Sequence, residues 1–268
     1  MIESFHTVEL SDAEFAREGL RMATVRSRAL GQRADVSVWM PQAERVDTLL
    51  ILLHGVYGSH WAWSLKGGAH RTAQRMTDAG DIAPLIIAMP SDGLGGDGSG
   101  YLTWPDVQDV ERWIVEEVPL VAQLAAPALL SNAKVAIAGL SMGGYGALRL
   151  GAKYADRFCA ISAHSAITDI VQIEDFVQEP LSNYLACAPR EELSVLHWLR
   201  ASRDCLPPLR FDCGVDDHLV TGNRVLHQAL VEDGIAHEYR EYSGGHAWPY
   251  WQEHIAETLR FVNRHCHE

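Results

Sequence analysis

The fold of this chain is decided by the stretch Val135-Ala136-Ile137-Ala138-Gly139-Leu140-Ser141-Met142-Gly143-Gly144-Tyr145-Gly146-Ala147-Leu148-Arg149-Leu150. Its first four residues form an apolar run that predicts a buried strand, and the residues from Gly143 onward are typical of a helix. Ser141 lies between two glycines at G-x-S-x-G spacing. A turn this tight brings the backbone so close that side chains at the flanking positions would collide, and it lifts the serine hydroxyl clear of the sheet edge. The pattern predicts a nucleophilic serine on a strand–turn–helix unit.

Length and charge narrow the class of protein. The 268 residues suffice for one large α/β domain with a sizeable core. The net charge of −13 opposes binding to nucleic acid or to an anionic membrane, and no basic stripe offsets it. The longest apolar stretch, residues 118–130, is too short to span a bilayer. We expect a single domain over residues 1–268 that binds neither nucleic acid nor membrane.

The N-terminus and the cysteines favour a cytoplasmic protein, with a processed secreted form as the alternative. Residues 1–4 lack the basic region and the apolar stretch with which a signal peptide begins. The five cysteines are an odd number without close pairing, so we expect no disulfide framework among Cys159, Cys187, Cys205, Cys213 and Cys266.

Strand and helix patterns alternate along most of the chain. Residues 22–28 and 35–40 predict a hairpin around Gly31. Further strands are predicted at residues 48–53, 85–89, 135–138, 158–162, 209–213 and 238–242, and helices at about 68–79, 107–117, 143–154, 222–233 and 251–265. This is the order of the α/β-hydrolase fold, so we expect an α/β protein with a mostly parallel central sheet, an antiparallel N-terminal hairpin and helices on both faces. Residues 165–208 break the alternation and form either a small lid-like insertion or an excursion without substrate contact.

A serine nucleophile needs a base that takes its proton and an acid that holds the base. In this fold the chain order is Ser, then Asp or Glu, then His. His246 follows the last predicted strand in Gly244-Gly245-His246-Ala247-Trp248, where the glycines let the loop carry the imidazole over the sheet edge. Asp216 and Asp217 both follow the preceding predicted strand, and their position alone leaves the choice of acid open.

A developing oxyanion needs backbone amides pointing at it. One is predicted at Met142, directly after the nucleophile. The other is predicted at Val56, in the loop His54-Gly55-Val56-Tyr57-Gly58 that follows the strand at residues 48–53. We expect His54 to hold this loop by hydrogen bonds.

Aromatic residues after neighbouring strands predict the pocket wall. Residues 90–101 are the most glycine-dense stretch, but they carry two aspartates and no Gly-Lys-Ser/Thr, so we expect a pocket-lining loop and no phosphate site. The residues expected to contact substrate are Tyr57, Trp61, Tyr101 and Trp104, with Trp63 beside them. His218 next to Asp217 could suggest a metal site with His237 or His246, but no ligand spacing of a known type supports it.

In residues 52–58, 139–147, 213–219 and 244–248 the chain resembles the esterase D-like family of α/β-hydrolases, which includes S-formylglutathione hydrolases, feruloyl and acetyl esterases and mycolyltransferases. The resemblance extends over nearly the whole chain. It implies Asp217 as the acid, because the family's acid usually falls at the fourth position of a C-G-x-x-D-x-L type pattern counted from the glycine. It also implies a small-molecule ester substrate, no metal or other cofactor, and a homodimer. It implies further that Ser141 is the nucleophile, His246 is the base, and the amides of Val56 and Met142 bind the oxyanion.

Departures from the family bear on the substrate. Residues 162–166 differ from the serine-alanine-proline-rich segment typical of S-formylglutathione hydrolases, and we expect no carbohydrate-binding module beside the domain. We therefore expect a serine carboxylesterase that acts on short-chain acyl or small aryl esters. The alternatives are an S-formylglutathione hydrolase-type thioesterase, an acyltransferase with the same catalytic residues, and a non-catalytic binding protein of hydrolase fold.

Overall fold

A computed structural model describes residues 5–266. Residues 1–4, on which the expectation of no signal peptide depends, lie outside the described residues, as do residues 267–268. The strands are β1 (Val8–Leu10), β2 (Leu20–Arg26), β3 (Arg33–Trp39), β4 (Val46–Leu53), β5 (Ile86–Pro90), β6 (Thr103–Trp104), β7 (Gln108–Asp109), β8 (Leu129–Leu140), β9 (Ala160–His164), β10 (Leu209–Gly214) and β11 (Glu238–Tyr242).

Within the described residues, nine of these strands form one sheet in the order β1-β2-β3-β5-β4-β8-β9-β10-β11. The strands from β5 to β11 in this order run parallel to one another. β1, β2 and β3 extend the sheet in antiparallel fashion. The predicted N-terminal hairpin and mostly parallel sheet are therefore confirmed. Because parallel strands end at the same edge, the loops after β4, β8, β10 and β11 meet there.

Helices cover both faces of the sheet, as predicted. They are α1 (Ala69–Asp78), α2 (Val110–Arg112), α3 (Val118–Ala125), α4 (Met142–Lys153), α5 (Leu181–Leu185), α6 (Val195–Ala201), α7 (Val220–Glu232) and α8 (Trp248–Cys266). Side chains of β4 alternate between the two layers. Leu50 and Leu52 join the apolar cluster under α1 and α8, whereas Leu49 and Ile51 join the cluster under α3, α4 and α7. This two-sided burial explains why β4 reads as a continuous apolar run.

Some element boundaries differ from the prediction. The strand predicted at residues 135–138 is the buried end of the longer β8, whose first half carries exposed polar residues that hide the strand pattern. The helix predicted at residues 107–117 begins at Val110 and continues through a π-helical turn, Trp113–Glu117, into α3. Pro119 lies directly after this turn, at the start of α3. β1, β6 and β7 are too short for a sequence pattern to reveal.

The cysteine pattern led us to expect no disulfide framework, but the structure contains one disulfide. Cys159 and Cys266 are joined, with their Cα atoms 5.7 Å apart. Cys159 immediately precedes β9 and Cys266 ends α8, and α8 packs against β9. The two cysteines are 107 residues apart in the sequence, so only the packing of the helix on the strand brings them together. Cys187, Cys205 and Cys213 are free thiols.

The segment at residues 165–208 packs on the body of the domain. It contains a 3₁₀ turn, Ile170–Asp175, and helices α5 and α6, and α6 packs against α4. Tyr184 of α5 is fully buried and donates its hydroxyl hydrogen to the carbonyl oxygen of Gly98, 2.7 Å away. Phe176 and Ser165 of this segment reach the edge of the sheet where the loops after β8, β10 and β11 meet. Across residues 5–266, no helix combines the length and the apolar character needed to cross a bilayer.

Candidate active site

Ser141 lies at the strained turn between β8 and α4. Its backbone has φ 55° and ψ −120°, a conformation rare for a residue with a side chain. A Cβ atom on Gly139 would lie 2.2 Å from the carbonyl oxygen of Gly143, and one on Gly143 would lie 2.4 Å from that of Leu53. Neither position can hold any other residue without moving the backbone. The collision that the sequence predicts at both glycines is therefore present.

Three side chains from three different loops form one hydrogen-bonded chain. The Ser141 hydroxyl donates to Nε2 of His246 over 3.0 Å, and Nδ1–H of His246 donates to Oδ2 of Asp217 over 2.9 Å. Ser141 follows β8, Asp217 follows β10 and His246 follows β11. A base held by a carboxylate and bonded to a serine can take the hydroxyl proton during nucleophilic attack.

The structure separates the two neighbouring aspartates. The side chain of Asp217 is buried at His246, whereas Asp216 is exposed to solvent. Burial of Asp217 opposes its ionisation, but hydrogen bonds from His246 and from the Leu219 amide outweigh it and place the pKa of Asp217 below its usual value. Asp217 is thus a buried anion whose charge faces the imidazole.

The loop after β4 passes directly beside the serine. A Cβ atom on Gly55 would lie 3.3 Å from Cβ of Ser141. The first two carbonyl groups of this loop have hydrogen-bond partners. That of His54 accepts the Tyr101 hydroxyl hydrogen at 3.0 Å, and that of Gly55 lies 2.7 Å from Nδ1 of His54. His54 therefore braces the loop, as the sequence predicts.

Two amides remain near Ser141 for a developing oxyanion. Met142 is the first residue of α4, so its N–H has no acceptor inside the helix. The Val56 backbone belongs to the loop beside Ser141, and Val56 lines the cavity at the serine. This arrangement suits stabilisation of negative charge at an ester carbonyl oxygen.

A cavity of about 330 Å³ opens at Ser141 and His246. Five aromatic side chains form much of its wall: Tyr57, Trp61, Phe176, Trp248 and Trp251. The Trp251 ring meets the His246 ring edge-to-face at 5.0 Å, and the Phe176 ring lies 5.4 Å from it. The remaining lining residues are Gly55, Val56, Gly58, Ala62, Lys66, Leu140 and Ala247.

Comparison with known proteins assigns this chain to a family. The Esterase family model matches residues 27–262, which is most of the chain. The chain belongs to the Esterase family. It is 29% identical over 241 residues to an acetyl esterase of Caldicellulosiruptor saccharolyticus, an alignment that covers 83% of this chain and 85% of that relative. The protein is accordingly a carboxylic ester hydrolase.

Solved structures with a similar fold include esterases. A ferulic acid esterase superposes with a TM-score of 0.78 at 25% identity, covering 96% of this esterase and 99% of that chain. An S-formylglutathione hydrolase from Staphylococcus aureus superposes with a TM-score of 0.75, covering 94% of this esterase and 98% of that chain. At 19% sequence identity, this superposition shows that the two proteins share a fold.

The structure corrects part of the predicted pocket wall. Tyr57 and Trp61 line the cavity of the esterase, but Tyr101 and Trp104 do not. Tyr101 is completely buried, and its hydroxyl donates a hydrogen bond to the His54 carbonyl. Trp104 donates its indole N–H to the Ser99 carbonyl at 2.9 Å and packs edge-to-face on Tyr184.

Two further expectations about this wall are corrected. Trp63 belongs to the core, where its indole N–H donates to the Leu53 carbonyl at 2.8 Å. The glycine-rich loop at residues 90–101 does not line the cavity. It lies behind the Val56 loop, where the Asp97 carbonyl accepts the Tyr57 amide hydrogen at 2.8 Å. Gly98 allows this close packing, because a Cβ atom there would lie 2.5 Å from Sδ of Met142.

Sequence reasoning missed four side chains of the esterase cavity: Phe176, Trp248, Trp251 and Lys66. Trp248 and Trp251 are three residues apart at the start of α8, directly after His246, so helical spacing places both on the side that faces the imidazole. That signal was available in the sequence. Phe176 and Lys66 come from a loop and from the π-helical turn Ala62–Lys66, whose paths no local pattern defines.

A buried polar network holds the backbone that bonds to the Ser141 amide. Asp212 accepts hydrogen bonds from Arg210 at 2.6 Å and from the Tyr250 hydroxyl at 2.7 Å, and it lies 2.9 Å from Nδ1 of His164. Burial opposes ionisation of Asp212, but the charges of His164 and Arg210 hold its pKa well below the usual value. The backbone carbonyl of His164 accepts the Ser141 amide hydrogen at 3.0 Å. The network therefore fixes the strand end that positions the serine.

Among the described residues, the group with metal-ligand chemistry at this site is Asp217, His218 and His246, whose ligand atoms all lie within 4.8 Å of one another. Asp217 and His246 already bond each other, and Asp217 also accepts the Leu219 amide hydrogen. The arrangement suits a proton relay to Ser141.

Proposed function

We propose that this esterase is a serine carboxylesterase that hydrolyses short-chain acyl or small aryl esters through an acyl-enzyme intermediate. The observation that carries the proposal is the unbroken hydrogen-bonded chain from Ser141 through His246 to Asp217. Its placement at a cavity that Val56 also lines supports an attack on a bound carbonyl group.

The proposed mechanism assigns one role to each group. Oγ of Ser141 attacks the ester carbonyl carbon while Nε2 of His246 takes the hydroxyl proton. The carbonyl oxygen gains negative charge and is held by the amides of Val56 and Met142. His246 then gives its proton to the departing alcohol, which leaves Ser141 acylated. A water molecule gives a proton to His246 as it attacks the acyl carbon, and His246 returns this proton to Oγ of Ser141 as the acid leaves.

Cavity size and lining support small substrates. A volume of about 330 Å³ lies at the lower end of the range for small-molecule sites. The aromatic wall suits an apolar acyl or aryl group, because flat rings offer large contact surfaces. We assign substrate contact to Tyr57, Trp61, Phe176, Trp248 and Trp251. The segment at residues 165–208 is proposed to act as a cap through Phe176.

Hydrolysis of p-nitrophenyl esters from acetate to octanoate tests the proposal. The wild type is expected to turn over acetate or butyrate fastest, and Ser141→Ala is expected to lose essentially all turnover while remaining folded. Equal activity of the folded variant would refute the serine mechanism. A strong preference for a glutathione thioester over an oxygen ester would indicate a thioesterase. Faster capture of the acyl group by added alcohols than by water would indicate an acyltransferase.

The cellular compartment and the oligomeric state need separate measurements. Composition favours the cytoplasm, whereas the Cys159–Cys266 disulfide favours an oxidising compartment, where such bonds persist. Alkylation of thiols in freshly lysed cells, followed by mass analysis, shows whether the pair is oxidised where the protein resides. A homodimer is proposed on the family resemblance, and sedimentation velocity tests it.

A further inference from the structure

Lys66 brings an ammonium group to the cavity of the esterase. It is the last residue of the π-helical turn Ala62–Lys66, which follows the Val56 loop. It lines the same cavity as Ser141 and His246. Among the described lining residues it is the one lysine or arginine, and no aspartate or glutamate accompanies it. In a pocket lined mainly by aromatic side chains, the few polar groups determine which substrates bind.

The ammonium group of Lys66 is free to bind an anion. Within residues 5–266 it has no carboxylate within 4 Å, whereas Lys153 pairs with Glu111 and Arg71 pairs with Glu18. Its neighbour is the Trp248 ring, with Nζ 5.5 Å from the ring centroid. A cation–π contact orients the ammonium without neutralising it. In a chain with 35 acidic and 22 basic residues, a lysine left unpaired at the catalytic cavity is available for a ligand.

Lys66 is linked to the reacting atoms by a continuous aromatic wall. The Trp248 ring meets Trp251 edge-to-face at 5.3 Å, and Trp251 meets His246 at 5.0 Å. A substrate whose carbonyl lies at Ser141 can therefore extend along two indole rings towards the ammonium.

A second cavity of about 380 Å³ continues beyond Lys66 and is also basic. Arg71 and Arg75 line it together with Lys66. Its carboxylate, Glu18, is engaged by Arg71 at 2.8 Å and by His70 at 2.9 Å. Arg75 bonds the Thr72 hydroxyl and forms no ion pair within residues 5–266. Positive charge exceeds negative charge on this side of the cavity, which favours approach of an anion despite the net charge of the chain.

We propose that Lys66 forms an anion subsite and that the preferred substrates of the esterase are esters bearing a carboxylate at the end that extends along the Trp248–Trp251 wall. This inference rests on the proposed carboxylesterase function. Lys66 acts here as a specificity-determining residue. It touches the remote carboxylate of the substrate and takes no part in proton transfer.

Two matched substrate pairs test the subsite. The first pair places the charge on the acyl side: the 4-nitrophenyl monoester of adipic acid and its methyl-capped form. The second places it on the alcohol side: 4-acetoxybenzoate and its methyl ester. For each pair, kcat/KM is measured for the wild type and for Lys66→Met. The ratio of anionic to neutral kcat/KM is expected to fall by about 5- to 10-fold in Lys66→Met for one pair, which identifies the side that carries the charge.

Controls separate the subsite from general effects. Lys66→Arg keeps the charge and is expected to retain most of the anionic preference. Lys134→Met removes the same charge from β8 and is expected to leave both ratios unchanged. Raising the salt concentration from about 0.05 M to about 0.5 M is expected to lower the preference of the wild type and not that of Lys66→Met, since salt screens exposed charges.

The possible outcomes distinguish this inference from the proposed function. If the wild type hydrolyses the neutral esters, and Lys66→Met changes neither ratio, the subsite is refuted and the carboxylesterase function stands. If the folded wild type hydrolyses none of the four esters, the proposed function itself is contradicted.

Discussion

Replacement of Asp217 by Asn tests the assignment of the acid. The side chain is unexposed, and its two oxygens accept two different donors, Nδ1–H of His246 at 2.9 Å and the Leu219 amide at 2.9 Å. An asparagine of the same shape has one acceptor oxygen. It either leaves the Leu219 amide unpaired or turns its NH₂ group towards the imidazole, which then places its proton on Nε2. In that tautomer His246 cannot take the proton of Ser141.

The expected decrease in kcat of Asp217→Asn can be calculated from the geometry. A carboxylate about 4 Å from an imidazolium stabilises it by about 4 kcal/mol at an effective dielectric constant of about 20. Loss of the charge-assisted hydrogen bond adds about 1–2 kcal/mol. The sum of about 5–6 kcal/mol corresponds to a decrease in kcat of about 10⁴-fold. Substitutions of the acid in other Ser-His-Asp enzymes have a similar magnitude.

Initial rates on p-nitrophenyl acetate at pH 7.5 provide the assay, with Asp216→Asn as the matched control. Asp216 is exposed, so its substitution is expected to change kcat by less than about 2-fold. The reasoning is refuted if Asp216→Asn costs more activity than Asp217→Asn. It is also refuted if Asp217→Asn, with an unchanged circular dichroism spectrum, loses less than about 10-fold.

Three further predictions concern stability and pocket shape. Replacing Cys159 and Cys266 together by Ser should lower the free energy of unfolding by about 2–4 kcal/mol in urea titrations, because the disulfide closes a long loop; an unchanged midpoint would argue against the bond. Asp212→Asn leaves the buried charge of Arg210 uncompensated and should cost about 3–5 kcal/mol by the same method; a cost below about 1 kcal/mol would contradict the network. Because the pKa of Asp212 is lowered in the folded state, its contribution to stability is complete above the usual aspartate pKa and is lost as the pH falls towards the folded-state value. Phe176→Ala should shift the preferred p-nitrophenyl ester to a longer acyl chain, since it removes a ring from the cavity wall; an unchanged preference would place the acyl group elsewhere.

Local sequence patterns were sufficient to predict the class of fold and to single out Ser141 and His246, which the structure brings within hydrogen-bond distance of each other. The strand–turn–helix around Ser141 and the glycines before His246 are short-range signals, and each predicted position is where the structure places it. Local sequence patterns do not decide between Asp216 and Asp217. Adjacent side chains on a loop point in different directions, and only the path of the loop after β10 decides which one is buried at the imidazole.

Other features depend on contacts between distant segments. Tyr57 and Tyr101 both follow strands at the catalytic edge, yet one lines the cavity and the other is buried behind the Val56 loop. The composition of their surroundings does not distinguish them. The disulfide likewise follows from the packing of α8 on β9, which brings together residues that no local spacing connects.

The most direct test of the central claim is covalent trapping of the nucleophile. The esterase is incubated with a fluorophosphonate, digested and analysed by peptide mass spectrometry, beside Ser141→Ala treated in the same way. We expect one phosphonylated residue, Ser141, together with complete loss of p-nitrophenyl acetate hydrolysis, and no labelled peptide from the variant. A label on another residue, or hydrolysis by the folded variant at the wild-type rate, would contradict the assignment of Ser141 as the nucleophile.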